Sequence, residues 1–251
     1  MSLDACAALV ARGDPERFAA LMAAPLSARK KLLPLYAFHL EVARAPWVTR
    51  EPLIAQMRLQ WWRDVVAEPK PRAHEVAAPL HALIAEARLP IGVFDQLIVA
   101  RNWDIHAEPH DSDAAFDSYL EATGAGLMWL AALAVGEASA AEPQVRAYGW
   151  ASALANFLRA VPELLSRGKQ PLRDDSDAAL RALAEEGLRR LAFSRSAPVG
   201  AGRAARLAGW QAAALLRQVQ QEPQRVLDGA IGLSEFSKRG RLAWQVLTGR
   251  Y

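Results

Sequence analysis

The sequence predicts an all-α fold, with eight or more helices packed as an orthogonal bundle in a single domain spanning residues 1–251. Three observations predict it. Alanine and leucine recur at helical spacing along most of the chain. Alternating β-branched runs, the mark of a strand, are absent. Helix-start signals recur from one end to the other, with no long linker and no internal repeat between them.

The elements follow in chain order. Cys6 sits among alanines near the start of a first helix. As the only cysteine it forms no internal disulfide, fits a reducing compartment, and is expected as a buried, inert thiol. Arg29 to Glu41 reads helical, with a kink expected at Pro34. Thr49 is placed to cap a helix whose first turn holds Pro52 and which runs to about Ala67. Glu68-Pro69-Lys70-Pro71 then breaks the chain. Leu89-Pro90 opens a helix through about Asp104. Asp113 caps the next, which ends near Gly136. Pro143 starts a long helix that Pro162 should disturb. Ser176, Gly202 and Ser234 mark three further starts. The longest irregular stretch is Gly168 to Ser176.

Composition narrows the function classes. With 52% hydrophobic and 23% charged residues the chain is of globular type, not disordered. Asp4 stands where a secretory leader would be basic, so no signal peptide is expected. The longest apolar run, Ala122 to Val135, is shorter than the roughly 20 residues a membrane span needs and reads as a buried helix. A cytoplasmic protein, at most peripheral on the inner face of the membrane, is expected. Net charge is +3 but uneven: residues 187–251 hold 11 Lys+Arg against 3 Asp+Glu. Such a basic third suits an acidic partner, whether anionic lipid, protein or nucleic acid, or is simply a solvated basic face; a membrane surface is the partner expected here. Arg189, Arg190, Arg195, Arg203, Arg206, Lys238, Arg239 and Arg241 supply most of the excess. A helix over 201–221, carrying Leu207, Trp210, Leu215 and Val219, would offer the apolar contact. No nucleic-acid motif accompanies the charge.

Two stretches carry a resemblance. Leu35-Tyr36-Ala37-Phe38-His39-Leu40-Glu41-Val42-Ala43-Arg44, with Arg29 upstream, resembles the first signature of squalene and phytoene synthases. Ala155-Asn156-Phe157-Leu158-Arg159-Ala160-Val161-Pro162-Glu163 resembles their second, and Arg167 to Leu172 its continuation. Asp104 and Phe116 to Leu120 look like the family's mid-chain block. The resemblance covers about Phe18 to Leu172 and implies an isoprenoid-synthase-like bundle. The segments around Phe38 and Arg159 should then face each other across a central cavity.

A prenyl synthase must ionise a diphosphate, and bound Mg²⁺ neutralises the leaving group through hard carboxylate ligands. The resemblance places the first carboxylate cluster at Ala43, Arg44 and Trp47 and the second at Ala160 and Leu164. None of the five is acidic. The aspartate-poor branch of the family, which includes the mitochondrial complex I assembly factor, is similar in two strings. These are Ala37 to Ala43 and Met57-Arg58-Leu59-Gln60-Trp61-Trp62-Arg63. Leu158-Arg159-Ala160-x-Pro162 also looks like that branch.

Three functions stay open on this reading. One is a non-catalytic protein acting in assembly of respiratory complex I, with complex I subunits as partners. Another is an isoprenoid- or lipid-binding module. The third is a Mg²⁺-dependent prenyl transferase with a degenerate metal site. Catalytic residues, metal ligands and cofactor are expected to be absent on the first two. Candidate cavity or ligand-binding residues are Arg29, Tyr36, Phe38, Glu41, Arg58, Gln60, Trp61, Asn156 and Arg159. Arg58 and Arg159 could instead pair with Glu41 or Asp104, since a buried Arg needs a partner. Asp113 and Asp117, the trio Asp174, Asp175 and Asp177, and the pair His106 and His110 are set aside. The aspartates sit at helix starts, where capping favours them, and the histidines lack further zinc ligands.

Overall fold

The computed structural model describes residues 3–70, 72–196 and 200–249, and among these there is no strand. Pro71 of the expected break lies outside the described residues. The helices are α1 (Leu3–Gly13), α2 (Pro15–Ala23), α3 (Leu26–Arg44), α4 (Pro52–Ala67), α5 (Ala77–Ala87), α6 (Ile91–Ala100) and α7 (Asp113–Leu120). After them come α8 (Gly126–Ala134), α9 (Glu142–Ser166), α10 (Asp177–Ser194), α11 (Arg203–Arg206), α12 (Ala212–Gln221) and α13 (Glu235–Thr248).

Local chemistry sets most ends. Ser176 and Ser234 cap α10 and α13 by accepting the N–H of Ala179 and Ser237. Ser112, not Asp113, caps α7. Thr49 lies two residues too early to cap α4; its hydroxyl accepts the Glu51 N–H in a turn. The helix expected through Asp104 stops at Ala100 and continues as a 3₁₀ stretch, Arg101–Ile105. The helix expected from Asp113 to near Gly136 passes through a π turn, Glu121–Ala125.

Neither interior proline ends its helix. α3 runs through Pro34, and Leu32 to Phe38 are all buried. Burial of that run outweighs the roughly 3 kcal/mol an interior proline costs. α9 continues past Pro162 to Ser166.

α9 is the central helix, packed on α8, α10 and α12, while α3 packs on α1, α5 and α8. The π turn presses close to α9 at Gly149. A Cβ there would lie 2.5 Å from Met128 Cβ and 2.8 Å from Ala125 Cα. Cys6 is fully buried in the α1 face, and burial, with Glu75 nearby, pushes its thiol up to about 11. It is an inert thiol at neutral pH.

The single helix expected over 201–221 is a correction. The chain breaks into α11, a 3₁₀ turn (Leu207–Gly209) and α12. Gly209 sits so tightly on α9 that a Cβ would lie 2.2 Å from Ser152 Oγ and 2.7 Å from Tyr148 Cε1. Leu207, Trp210, Leu215 and Val219 are buried in the bundle, so they offer no face to a membrane. No helix among the described residues is long and apolar enough to cross one.

Candidate functional site

A cavity of about 1030 Å³ opens between α3 and α9. Tyr36, His39, Ala43 and Trp47 recur at three- and four-residue spacing and bring one face of α3 and the turn after it to the wall. Gly149, Ser152, Asn156, Ala160, Glu163 and Arg167 do the same from α9. The π turn supplies Thr123 and Gly124, and α8 supplies Leu127 and Met128. The α1–α2 corner adds Asp14, Glu16 and Arg17. Gln211 and Lys238 close the remaining side from the C-terminal third.

Ala43, Arg44, Trp47, Ala160 and Leu164 all line this cavity. Those are the five positions at which the resemblance places the metal-binding carboxylates. The four acids that do line it are each engaged by another side chain. Asp14 Oδ2 accepts from Arg17 Nε at 2.8 Å. Glu16 meets Arg159 at 2.5 Å and Lys238 Nζ at 3.0 Å. Asp104 accepts from Arg101 and from the Tyr119 hydroxyl, both at 3.0 Å. Glu163 accepts from Arg167 Nε at 2.7 Å. Burial raises the Asp14 and Glu16 carboxyls, but the neighbouring Arg17 and Arg159 outweigh it and leave both below the usual range. Six cations line the wall against these four acids, and Arg44 makes no ion pair or hydrogen bond among the described residues. Mg²⁺ does not fit this donor set. It needs free carboxylate oxygens, and no three His, Cys, Asp or Glu among the described residues are placed to hold a metal.

Four residues of the wall hold buried polar atoms without a protein partner. The Tyr36 hydroxyl, His39 Nδ1, Arg101 Nε and Gln211 Oε1 are buried and unbonded. Burial lifts the Tyr36 hydroxyl to about 12, so it stays a donor. Burial, with Arg17 and Arg101 close by, holds His39 well below the usual imidazole range and neutral. Leu120, Leu127, Met128 and Phe157 are also in the walls, an apolar lining that suits the body of a lipid-like ligand.

Of the nine residues singled out in the sequence, Tyr36, Asn156 and Arg159 line the cavity. Phe38 lies on the opposite face of α3, fully buried, with Trp62 and Phe94 edge-on at 5.4 Å each. Arg29 ties α3 to the end of α2, its Nε donating to the Ala24 carbonyl at 2.7 Å. Glu41 is half-buried and outside the cavity wall. Arg58 and Gln60 are exposed on α4, Gln60 donating to Asp64 at 2.8 Å. Trp61 packs on Trp62 and His74 at 4.8 and 5.2 Å, away from the cavity. The pairing expected for Arg159 with Glu41 or Asp104 is replaced by one with Glu16 of α2, while Asp104 is taken by Arg101 and Tyr119. His39 was missed, although its three-residue spacing from Tyr36 marks the same helix face. Arg17, Arg101, Gln211 and Lys238 carry no such signal, since they come from distant segments.

The family model described as squalene/phytoene synthase matches residues 10–176. Solved structures with similar folds include a dehydrosqualene synthase in complex with ligand, with a TM-score of 0.81 at 14% identity over 98% of this chain and 95% of that one. The squalene synthase HpnC from Alicyclobacillus acidocaldarius gives 0.70 at 16% identity over 88% and 93%. YisP from Bacillus subtilis subsp. subtilis strain 168 gives 0.65 at 16% over 96% and 94%. No curated protein matches the chain significantly.

Proposed function

The chain belongs to the squalene/phytoene synthase family, and from that premise we propose that it is a non-catalytic member. It holds an isoprenoid or related lipid in the central cavity and acts in assembly of respiratory complex I. One observation carries the non-catalytic part. All five positions for metal-binding carboxylates line one cavity without a carboxylate, and the acids present are engaged by Arg, Lys or Tyr. The cavity itself supports lipid binding, with apolar side chains in its walls and more cations than acids to meet a polar or anionic head. The assembly role rests on the aspartate-poor strings alone, Met57 to Arg63 and Leu158 to Pro162.

The purified chain, incubated with farnesyl or geranylgeranyl diphosphate and Mg²⁺, is expected to release no diphosphate. It should still retain an isoprenoid that native mass spectrometry detects. Release above a heat-killed control would establish the alternative, a Mg²⁺-dependent prenyl transferase with an altered metal site. Co-purification from native membranes tests the assembly role separately. Failure to recover quinone-reductase subunits removes that role and leaves lipid binding standing.

A further inference from the structure

α13 packs Leu242 and Val246 against the core but leaves three other large apolar residues, Phe236, Trp244 and Leu247, in solvent. Each helical residue advances about 100°, which gathers Lys238, Leu242, Gln245 and Gly249 on the side facing the bundle. That side is held by apolar packing of Leu242 and Val246 and by polar bonds. Lys238 Nζ lies 3.0 Å from Glu16 Oε1, and Gln245 Nε2 donates to the Trp210 carbonyl at 3.0 Å. The opposite side carries Phe236, Gly240, Ala243, Trp244 and Leu247. Phe236 is 89% exposed, Trp244 58% and Leu247 82%. No residue of α13 is buried. A surface helix normally turns such a stripe inward. Arg239 and Arg241 fall on the two flanks of this one.

Beside Trp244 opens a second, shallower pocket of about 370 Å³. Trp210 and Trp244 line it, together with Arg195, Arg217 and Arg241, and no acidic residue does. Arg217, Arg239 and Arg241 make no ion pair or hydrogen bond among the described residues. Much of the remaining basic charge in this third of the chain is engaged internally. Arg190 pairs with Asp117 and Glu186, Arg206 with Glu137, and Lys238 with Glu16 and Glu235. The uncommitted cations of this third, Arg217, Arg239 and Arg241, therefore lie around the exposed stripe.

We propose that α13 and this pocket form a docking surface for an anionic phospholipid membrane, with the stripe at the acyl boundary and the arginines on lipid phosphates. Charge complementarity selects this occupant. Cations on both flanks of an exposed aromatic and aliphatic stripe suit a helix lying in a membrane interface. A free anion would meet the arginines but leave Phe236 and Leu247 in water. The proposal is independent of what the central cavity holds.

Co-sedimentation of the full chain with phosphatidylcholine vesicles, with and without phosphatidylglycerol, tests it. Binding is expected only with phosphatidylglycerol and should fall as salt rises. R217Q/R241Q should lower the affinity roughly thirtyfold, at about a fivefold loss per arginine. F236S/L247S should weaken binding while keeping its salt dependence. L53S/M57S, which alters another exposed apolar pair, should change nothing. All substituted side chains are exposed, so each variant should keep the wild-type circular dichroism. No binding at low salt, equal binding to pure phosphatidylcholine, or loss only in L53S/M57S overturns the proposal. The first of these outcomes would make the stripe a protein contact instead.

Discussion

Arg159 on α9 and Glu16 in the first turn of α2 meet at 2.5 Å, and Lys238 of α13 meets the same carboxylate at 3.0 Å. One acid thus ties together three elements that lie far apart in sequence. The pair is about one-third exposed at the arginine, so its contribution is that of a partly screened network, about 1 kcal/mol. R159M should lower stability by that order. A double-mutant cycle with E16Q should show coupling, and additive effects would mean that the contact carries no energy.

Phe38 and Tyr36 separate packing from binding. F38A removes a fully buried ring set between Trp62 and Phe94 and should cost about 3–5 kcal/mol in urea unfolding. Y36F removes a hydroxyl with no protein partner. It should leave stability within about 1 kcal/mol of wild type while weakening retention of the cavity ligand. Equal stability losses in both would contradict the placement of Tyr36 in the cavity wall.

The donor set makes a metal prediction. Mg²⁺ or EDTA should leave the melting temperature of the wild-type chain unchanged. A43D/R44D/A160D puts carboxylates on both facing helices, next to Glu163. That variant should melt lower without metal and recover by several degrees with Mg²⁺, as binding to the native state requires. A Mg²⁺-dependent shift in the wild type would mean that the existing acids leave Arg and Lys to hold the ion.

His110 is buried and stacks on Trp103 at 4.0 Å. Burial, helped by Lys169 and opposed by Asp111, lowers its imidazole to about 4. The unfolded chain takes up a proton below its ordinary value of about 6.5. The stability tied to this group is therefore complete above that pH and is lost as pH falls towards 4, on the order of 2 kcal/mol. His39, also held low by burial, adds to the loss in the same direction. H110F should flatten the acid limb of stability against pH; an unchanged limb would assign it to other groups.

Gly149 allows the closest approach of α9 to the π turn. G149A sets a Cβ 2.5 Å from Met128 Cβ and 2.8 Å from Ala125 Cα. Overpacking of that kind should cost about 1–3 kcal/mol or more, read as a fall in melting temperature.

Helix ends governed by neighbouring residues were legible in the sequence. Ser176 and Ser234 cap where expected, and Pro52 and Pro143 sit in first turns. The break at Leu207 to Gly209 was not legible, because the side chains that demand a glycine, Tyr148 and Ser152, lie on another helix. The site divides in the same way. Ala43 and Ala160 could be placed on one cavity from their signatures. Arg58, Gln60 and Trp61 matched a sequence string, but α4 turns them to solvent or onto its own neighbours. Glu16, Gln211 and Lys238 reach the cavity only through the tertiary fold, and no spacing rule links them to α3 or α9.

The absence of any buried residue in α13 also bears on how the molecule opens. A segment that exposes little new apolar surface on leaving the bundle has a low free energy of local unfolding. Its backbone amides should therefore be among the first to exchange with deuterium, well ahead of those in α9. Lys238 is part of the wall of the central cavity, so each such excursion removes a piece of that wall. Salt, by weakening the Glu16–Lys238 contact, should therefore speed exchange of the α13 amides and leave those of α9 unchanged.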